Sequence, residues 1–353
     1  MLKVSASVEG QESVSPECAD AASHCMRHER VRIALLSNPK STGNIAQLPR
    51  IRAYCDEHPD VFHYEVEEAS QIGEAMKVIA RVRPKVLAIN GGDGTVQAAL
   101  TELYNGGHFG ESPPPVAVLP SGKTNLIAID LGARGDPIET LERLIALART
   151  DHLAPYTVAR ELIALRRPGS EHRPVIGMFL GGAGLADTML YCRERIYPLG
   201  LPNGIAHGIT FFALLAKMLL RIKANFLPPD LEPLSVSLSD GSNRLSGRFS
   251  LLAVTTLEKL LLNSDLGEKR SGSLKLLAVE EQPMSMVRGL AASIVGKLGR
   301  WPVPGVHFEH ADEITIEGDC SNLILDGETF RTELGRPIHL MPAQPLSFVK
   351  LAA

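Results

Sequence analysis

VLAINGGDGTVQAALTEL, residues 86–103, decides how the chain is read. It opens on Val86, Leu87, Ala88 and Ile89, a continuous apolar run that suits a strand covered on both faces. It closes on Val96, Ala98, Ala99, Leu100 and Leu103, which share one face of a helix. Between them, Asn90-Gly91-Gly92-Asp93-Gly94-Thr95 makes a strand-to-helix turn. Its missing Cβ atoms let the backbone approach a ligand closely and adopt positive φ. The helix start beyond it offers unpaired N–H groups and a positive dipole end, which suits a phosphate. Asp93 follows an apolar strand, a poor place for a carboxylate unless it holds a metal, a base or a hydroxyl. Taken alone, the same residues also fit a plain tight turn with an Asp helix cap.

Working outward, strand and helix patterns alternate. Residues 31–37, 62–66 and 116–119 read as strands, and 45–56, 72–82 and 138–148 as helices, with a further helix reaching about residue 130. That alternation predicts a parallel sheet with helices on both faces, whose ligands bind at the carboxyl ends of the strands. Loops 38–44, 90–95 and 120–125 all fall at such ends, and each is short, polar and glycine-containing. Their convergence points to a nucleotide phosphate site more strongly than any one of them. Two tempting motifs fail. Gly122-Lys123-Thr124 resembles the end of a P-loop, but Ala117 stands where that loop needs its first glycine. Gly182-Ala183-Gly184 starts like a dinucleotide fingerprint, but Asp187 stands at the third glycine.

After about residue 155 the rhythm changes to short strands: 162–165 with 175–180 as one hairpin, 234–238 with 249–254 as another, then 274–279, 313–317, 322–325, 338–341 and 346–351. This half reads as an antiparallel β-sandwich or open barrel with a helical insertion around residues 186–226. The expected organisation is therefore a mobile extension over 1–29, an α/β nucleotide-binding domain over 30–154, and a β-sandwich domain over 155–353, with the active site in the cleft between the two domains.

Composition narrows the function. The chain has 353 residues, is 44% hydrophobic and 22% charged, and carries a net charge of −4 with a pI near 6.3, so no bulk attraction to nucleic acid is expected. Five scattered cysteines, Cys18, Cys25, Cys55, Cys192 and Cys320, lack metal-type spacing. Residues 1–30 show no apolar core of a secretory leader, and no apolar run reaches the roughly 20 residues needed to span a bilayer. A cytoplasmic protein with free thiols is the expectation. Two apolar stretches with interspersed cations, ITFFALLAKMLLRI at 209–222 and residues 287–301, fit either helices packed on the β domain or segments that touch a peripheral membrane surface.

The motifs together resemble the diacylglycerol kinase-like lipid kinases, which include sphingosine and ceramide kinases. Gly91-Gly92-Asp93-Gly94-Thr95 matches their GGDGT signature, which NAD kinases share. Asn38-Pro39-Lys40-Ser41-Thr42-Gly43 resembles their NPxSG loop with one extra residue, and Leu119-Pro120-Ser121-Gly122-Lys123-Thr124-Asn125 their PLGTGND loop. Gly184-Leu185-Ala186-Asp187 resembles their G-x-x-A-D segment, and Asp326-Gly327-Glu328 their closing DGE motif. Departures are Lys123 for the usual Thr, Thr124 for Gly or Ala, Leu126 for Asp, and Ser271-Gly272 for an Asp-Gly.

The resemblance implies transfer of the γ-phosphoryl group of ATP, with Mg²⁺, to a hydroxyl of a lipid substrate such as diacylglycerol, ceramide or a sphingoid base. It implies nucleotide contacts at Asn38, Ser41, Thr42, Gly91, Gly92, Asp93, Gly94, Thr95, Gly122, Lys123 and Asn125. Glu328 is then the expected base, Asp326 lies near the nucleotide, and Asp93 organises the metal or phosphate side. Asp187 either binds the lipid headgroup or caps the helix after it. The competing readings are an NAD kinase-type enzyme and a non-catalytic nucleotide- or lipid-binding relative.

Overall fold

Two β-sheets organise the chain in a computed structural model that describes residues 32–169, 173–191, 231–239, 244–257, 273–295, 298 and 301–351. The first half follows the expected alternation closely. Strands β1 (Ile33–Ser37), β2 (Val61–Glu65), β3 (Val86–Gly91) and β4 (Val116–Pro120) lie in the order β2-β1-β3-β4 and are parallel. The helices between them are α1 (Asn44–Asp56), α2 (Ile72–Val82), α3 (Asp93–Asn105), α4 (Leu126–Asp130) and α5 (Pro137–Arg149).

Each face of this sheet has its own apolar layer, which is why the strands read as unbroken hydrophobic runs. On one face, Ile72, Met76 and Ile79 of α2 and Val96 and Leu100 of α3 cover Leu36, Leu87 and Ile89. On the other, Ile51 of α1 and Leu141, Leu144 and Ile145 of α5 cover Ile33, Leu35 and Ala88. Helix α2 buries Ile72, Ala75, Met76 and Ile79, the spacing that puts four side chains on one stripe. Asp136 caps α5 by accepting the Ile138 N–H at 2.9 Å, with Pro137 at the first helical position.

The second half is an antiparallel sandwich. Strands β5 (Thr157–Arg166), β6 (Val175–Gly177), β8 (Leu234–Leu238), β9 (Arg244–Gly247), β13 (Ile314–Gly318) and β16 (Ile338–Val349) extend the first sheet, β16 joining it beside β4. A second sheet has the order β12-β11-β10-β7-β14-β15. Its strands are β7 (Phe179–Gly182), β10 (Phe249–Thr255), β11 (Leu274–Glu280), β12 (Val306–Ala311), β14 (Asn322–Leu325) and β15 (Glu328–Arg331). The sheets enclose Ile163, Leu180, Val236, Leu252, Leu276, Ile316, Leu323 and Leu340, all essentially without solvent exposure. Two helices complete the described chain, α6 (Gly184–Tyr191) and α7 (Pro283–Ile294).

Three expectations are corrected. The strand expected over 175–180 is split, Val175–Gly177 pairing with β5 in the first sheet and Phe179–Gly182 lying in the second. The partner of 234–238 is β9 rather than 249–254, which sits in the other sheet between β7 and β11. Strand β9 contributes only one apolar residue, Leu245, so its alternation is invisible, whereas β10 is central and apolar on both faces. Residues 338–341 and 346–349 form one strand, not two, because a register shift between Ala343 and Leu346 absorbs the Pro342 and Pro345 region. Its far end pairs Phe348 with Val116 of β4, so one sheet runs through both halves. The expected helical insertion is described only as α6. The 209–222 stretch, the 1–29 extension, Ser271-Gly272, Lys297, Arg300, Cys18, Cys25 and Cys192 lie outside the described residues. Cys55 is free and buried, and Cys320 is free and exposed.

Candidate functional site

Adjacent strands end together, so the loops after β1, β3 and β4 meet. The Ser41 hydroxyl donates to Ser121 O at 2.8 Å, and the Gly43 N–H donates to the same carbonyl at 3.0 Å. The Asn38 amide donates to Thr95 Oγ1 at 2.9 Å, tying the first loop to the start of α3. Beneath them Asn44 donates to Asn38 O and Asn90 O at 2.8 and 2.9 Å, and Asn90 donates to Ser37 Oγ at 2.9 Å. Asn44, Asn90, Ser37 and Ser121 are all buried and brace the loops without lining the cleft. They went unnoticed in the sequence because their partners, two backbone carbonyls for Asn44 and the Ser37 hydroxyl for Asn90, come together only in the folded chain. The only signal was an Asn at each of two strand-end turns.

The Asn90–Thr95 turn differs from its reading in two ways. None of its three glycines has a left-handed φ. Gly91 ends β3, and a Cβ there would lie 2.7 Å from Thr95 Cβ, so close packing rather than turn geometry excludes a side chain. Asp93 does not cap α3 either. Gly92 is the cap residue and Asp93 the first helical one, where a carboxylate meets the positive dipole end. Its carboxylate carries no hydrogen bond or ion pair among the described residues, and enclosure by the protein pushes its pKa up to about 6.

Opposite this turn stands the hairpin corner between β14 and β15. Asp326 is buried, with Oδ2 accepting the Met178 N–H at 2.6 Å and Oδ1 the Phe179 N–H at 3.1 Å. Burial pushes its pKa up to about 8. The charge on Asp93 adds to this, and the two amides oppose it. Asp93 therefore ionises first. Gly327 packs directly on the Gly94 backbone, with a Cβ there falling 3.2 Å from Gly94 N. Glu328 is exposed at the corner, and desolvation raises its pKa while Arg167 opposes the rise.

The pairing of these two turns has a structural cause. Helix α3, which starts at Asp93, is stitched to β6. Thr101 Oγ1 accepts the Ile176 N–H at 3.0 Å, and the Asn105 amide donates to Pro174 O at 2.9 Å. The chain leaving β6 supplies the Met178 and Phe179 amides that grip Asp326. An Asp326→Asn change places an NH₂ against one of those amides. It is expected to cost about 1–3 kcal/mol, read as a lowered denaturant midpoint.

The resulting cleft of about 670 Å³ is lined by Asn38, Ser41, Thr42, Gly92, Asp93, Gly94, Thr95, Gly122 and Lys123 on one side and by Asp326, Gly327 and Glu328 on the other. Phe179, Met189, Leu190, Ile324 and Leu126 add an apolar wall. Three expected residues lie elsewhere. Gly91 is inside β3. Asn125 closes its own loop, accepting from Gly122 N at 2.7 Å and donating to Gly122 O at 3.0 Å. Asp187 lies inside α6 rather than at its cap, and it accepts from Asn322 Nδ2 at 2.8 Å. Among the described residues no cluster of three or more His, Cys, Asp and Glu is arranged to hold a metal. Asp93 and Asp326 on the cleft still fit Mg²⁺, which typically takes one or two carboxylates and completes its shell with water and substrate phosphates.

Residues 32–154 match the family described as diacylglycerol kinase catalytic domain. Solved structures from Bacillus anthracis str. Sterne whose descriptions carry the words diacylglycerol kinase share the fold. One is 15% identical with a TM-score of 0.57, covering 91% of this chain and 97% of that one. A second is 17% identical with a TM-score of 0.57, covering 90% and 97%. A third is 14% identical with a TM-score of 0.52, covering 91% and 97%. No curated protein gives a significant match.

Proposed function

We propose, from the premise that residues 32–154 are a diacylglycerol kinase catalytic domain, that the chain transfers the γ-phosphoryl group of ATP to a hydroxyl of a lipid such as diacylglycerol, ceramide or a sphingoid base. The observation that carries this reading is the meeting of two turns. The carboxylate-bearing corner Asp326-Gly327-Glu328 packs on the phosphate-side turn 92–95 at the floor of one cleft. Residues 30–154 would hold the nucleotide and 155–353 the lipid.

In this reading the phosphates lie against the backbone of loops 38–43, 92–95 and 122–124, near the start of α3. Lys123 adds a point charge beside them. Mg²⁺, when bound, would supply charge neutralisation for the transferred phosphoryl group. Asp93, unpartnered and facing the cleft, holds the metal side, with Asp326 behind it fixed by two amides. Glu328 takes the proton of the attacking hydroxyl. The apolar wall of Phe179, Met189 and Leu190 favours an acceptor with acyl chains. Asp187, tied to Asn322, would shape the lipid side.

The deciding experiment incubates the protein with Mg·ATP and a panel of diacylglycerol, ceramide, sphingosine, phosphatidylglycerol and NAD. A new phospholipid supports the proposal. Phosphorylation of NAD alone overturns it. No product together with no thermal shift by Mg·ATP favours a non-catalytic relative, for which Leu126 in place of the family's Asp is the motive.

Asp93 also sets a pH dependence. Its proton is held more tightly in the folded protein, with a pKa moved from 3.8 to about 6. Its contribution to stability is therefore complete below about pH 3.8 and is lost as pH rises to about 6. Subtracting the denaturant-midpoint profile of Asp93→Asn from that of the wild type is expected to isolate a fall over this window. Mg·ATP should abolish the difference by favouring the ionised form.

A further inference from the structure

Helix α7 is built inside out. Ser285, Met286 and Gly289 face the protein, and Gly289 sits where a Cβ would touch Val306 and Val279 at 3.4 and 3.7 Å. The larger apolar side chains point to solvent. Met284 is 57%, Val287 45% and Leu290 37% exposed, and beyond the helix Val295 and Trp301 are 63% and 64% exposed. Among the described residues, the other large hydrophobics this exposed are Ile45 and Leu334, each alone. The helix buries Met286 with Ser285 and Gly289, yet leaves Met284, Val287 and Leu290 as an exposed apolar stripe, which burial in the fold does not account for.

Charge says what covers this face. Residues 283–301 contain Arg288, Lys297 and Arg300 and no acidic residue, in a chain whose net charge is −4. Arg288 is exposed beside Val287 and makes no ion pair among the described residues. An exposed apolar stripe with Arg288 beside it, in a stretch of sequence without acids, is the composition of an interfacial helix on an anionic bilayer. The inner side of this segment reaches toward the cleft. Ala292 and Leu298 pack with Leu277, Ala253 and Phe179 in one apolar cluster, and Phe179 lines the cleft.

Resting on a lipid as the acceptor, we infer that the outward face of α7 is the surface by which the protein docks on an anionic membrane, placing the cleft within reach of the lipid. Docking is peripheral: no described helix is long and apolar enough to cross a bilayer. Residues Met284, Val287 and Leu290 enter the interface, and Arg288 meets lipid phosphates.

The test is co-sedimentation of the full chain with phosphatidylcholine vesicles that contain phosphatidylglycerol, against vesicles of phosphatidylcholine alone. Binding is expected to the anionic vesicles and to weaken with salt. A Val287→Glu/Leu290→Glu variant is expected to lose about tenfold or more in partitioning, and Arg288→Gln a smaller part. These positions are exposed, so the thermal shift by Mg·ATP should be unchanged and reports that the fold survived. Equal vesicle binding by wild type and double variant overturns the proposal. So does a wild type that ignores vesicles and instead forms a dimer the double variant cannot form, which makes the face a contact between copies. Vesicle binding without any lipid phosphorylation leaves docking intact and sinks the kinase reading. Lipid phosphorylation in vesicles at equal rates by both proteins does the reverse.

Discussion

A Glu328→Gln enzyme is expected to turn over about 10²- to 10⁴-fold more slowly than wild type while binding Mg·ATP almost as well. The side chain stands at the first residue of β15, exposed, on the cleft wall opposite the phosphate-side loops. Desolvation holds its pKa above the usual glutamate value, with Arg167 pulling the other way. A rise in that direction makes the carboxylate a better acceptor of the hydroxyl proton. The amide keeps the shape and one acceptor oxygen but takes no proton. Because the site is exposed, the change should leave stability within about 0.5 kcal/mol. Steady-state turnover on the lipid substrate and calorimetric ATP affinity separate the two effects. Turnover like that of wild type would remove Glu328 from the base role.

Gly327→Val is expected to damage turnover by about 10²-fold or more through position alone. Gly327 has φ +96°, a region that a β-branched residue avoids. Its Cβ would also lie 3.2 Å from Gly94 N and 3.5 Å from Gly94 Cα. Relief requires the corner to lift from the 92–95 turn, carrying Asp326 and Glu328 away from Asp93. Gly335→Val is the control, since Gly335 has φ +73° with nothing within 4 Å of the added Cβ. Both substitutions should cost about 1–3 kcal/mol of backbone strain. Only Gly327→Val should lose turnover. Equal activity in the two variants would mean that contact between the turns does not matter for catalysis.

Much of this was legible along the chain because it depends on local periodicity. A strand buried on both faces shows itself as a run such as Val86 to Ile89, and an amphipathic helix as Ile72, Ala75, Met76 and Ile79. Neighbouring parallel strands end on the same side, so the three glycine-bearing loops were bound to converge. Strand β9 escaped notice because an exposed edge strand needs no apolar alternation. The proline-bearing strand β16 looked divided because a bulge interrupts its pattern without ending its pairing.

What local pattern determined, then, is the alternating first half, the short-strand second half and the residue types at the strand-end loops. What the tertiary structure decided is how those residues are used. Asp93 became an unpartnered carboxylate at a helix start rather than a cap, because Gly92 takes the cap position. Asp326 became a buried group gripped by the Met178 and Phe179 amides, and those backbone donors belong to residues nearly half the chain away in sequence. Asn125 and Asp187 were turned toward partners in the protein and out of the cleft lining. Helix α7 turned Ser285, Met286 and Gly289 toward β11 and β12 and left Met284, Val287 and Leu290 exposed. Each of these outcomes depends on which backbone or side chain arrives from elsewhere in the chain, and periodicity carries no information about that.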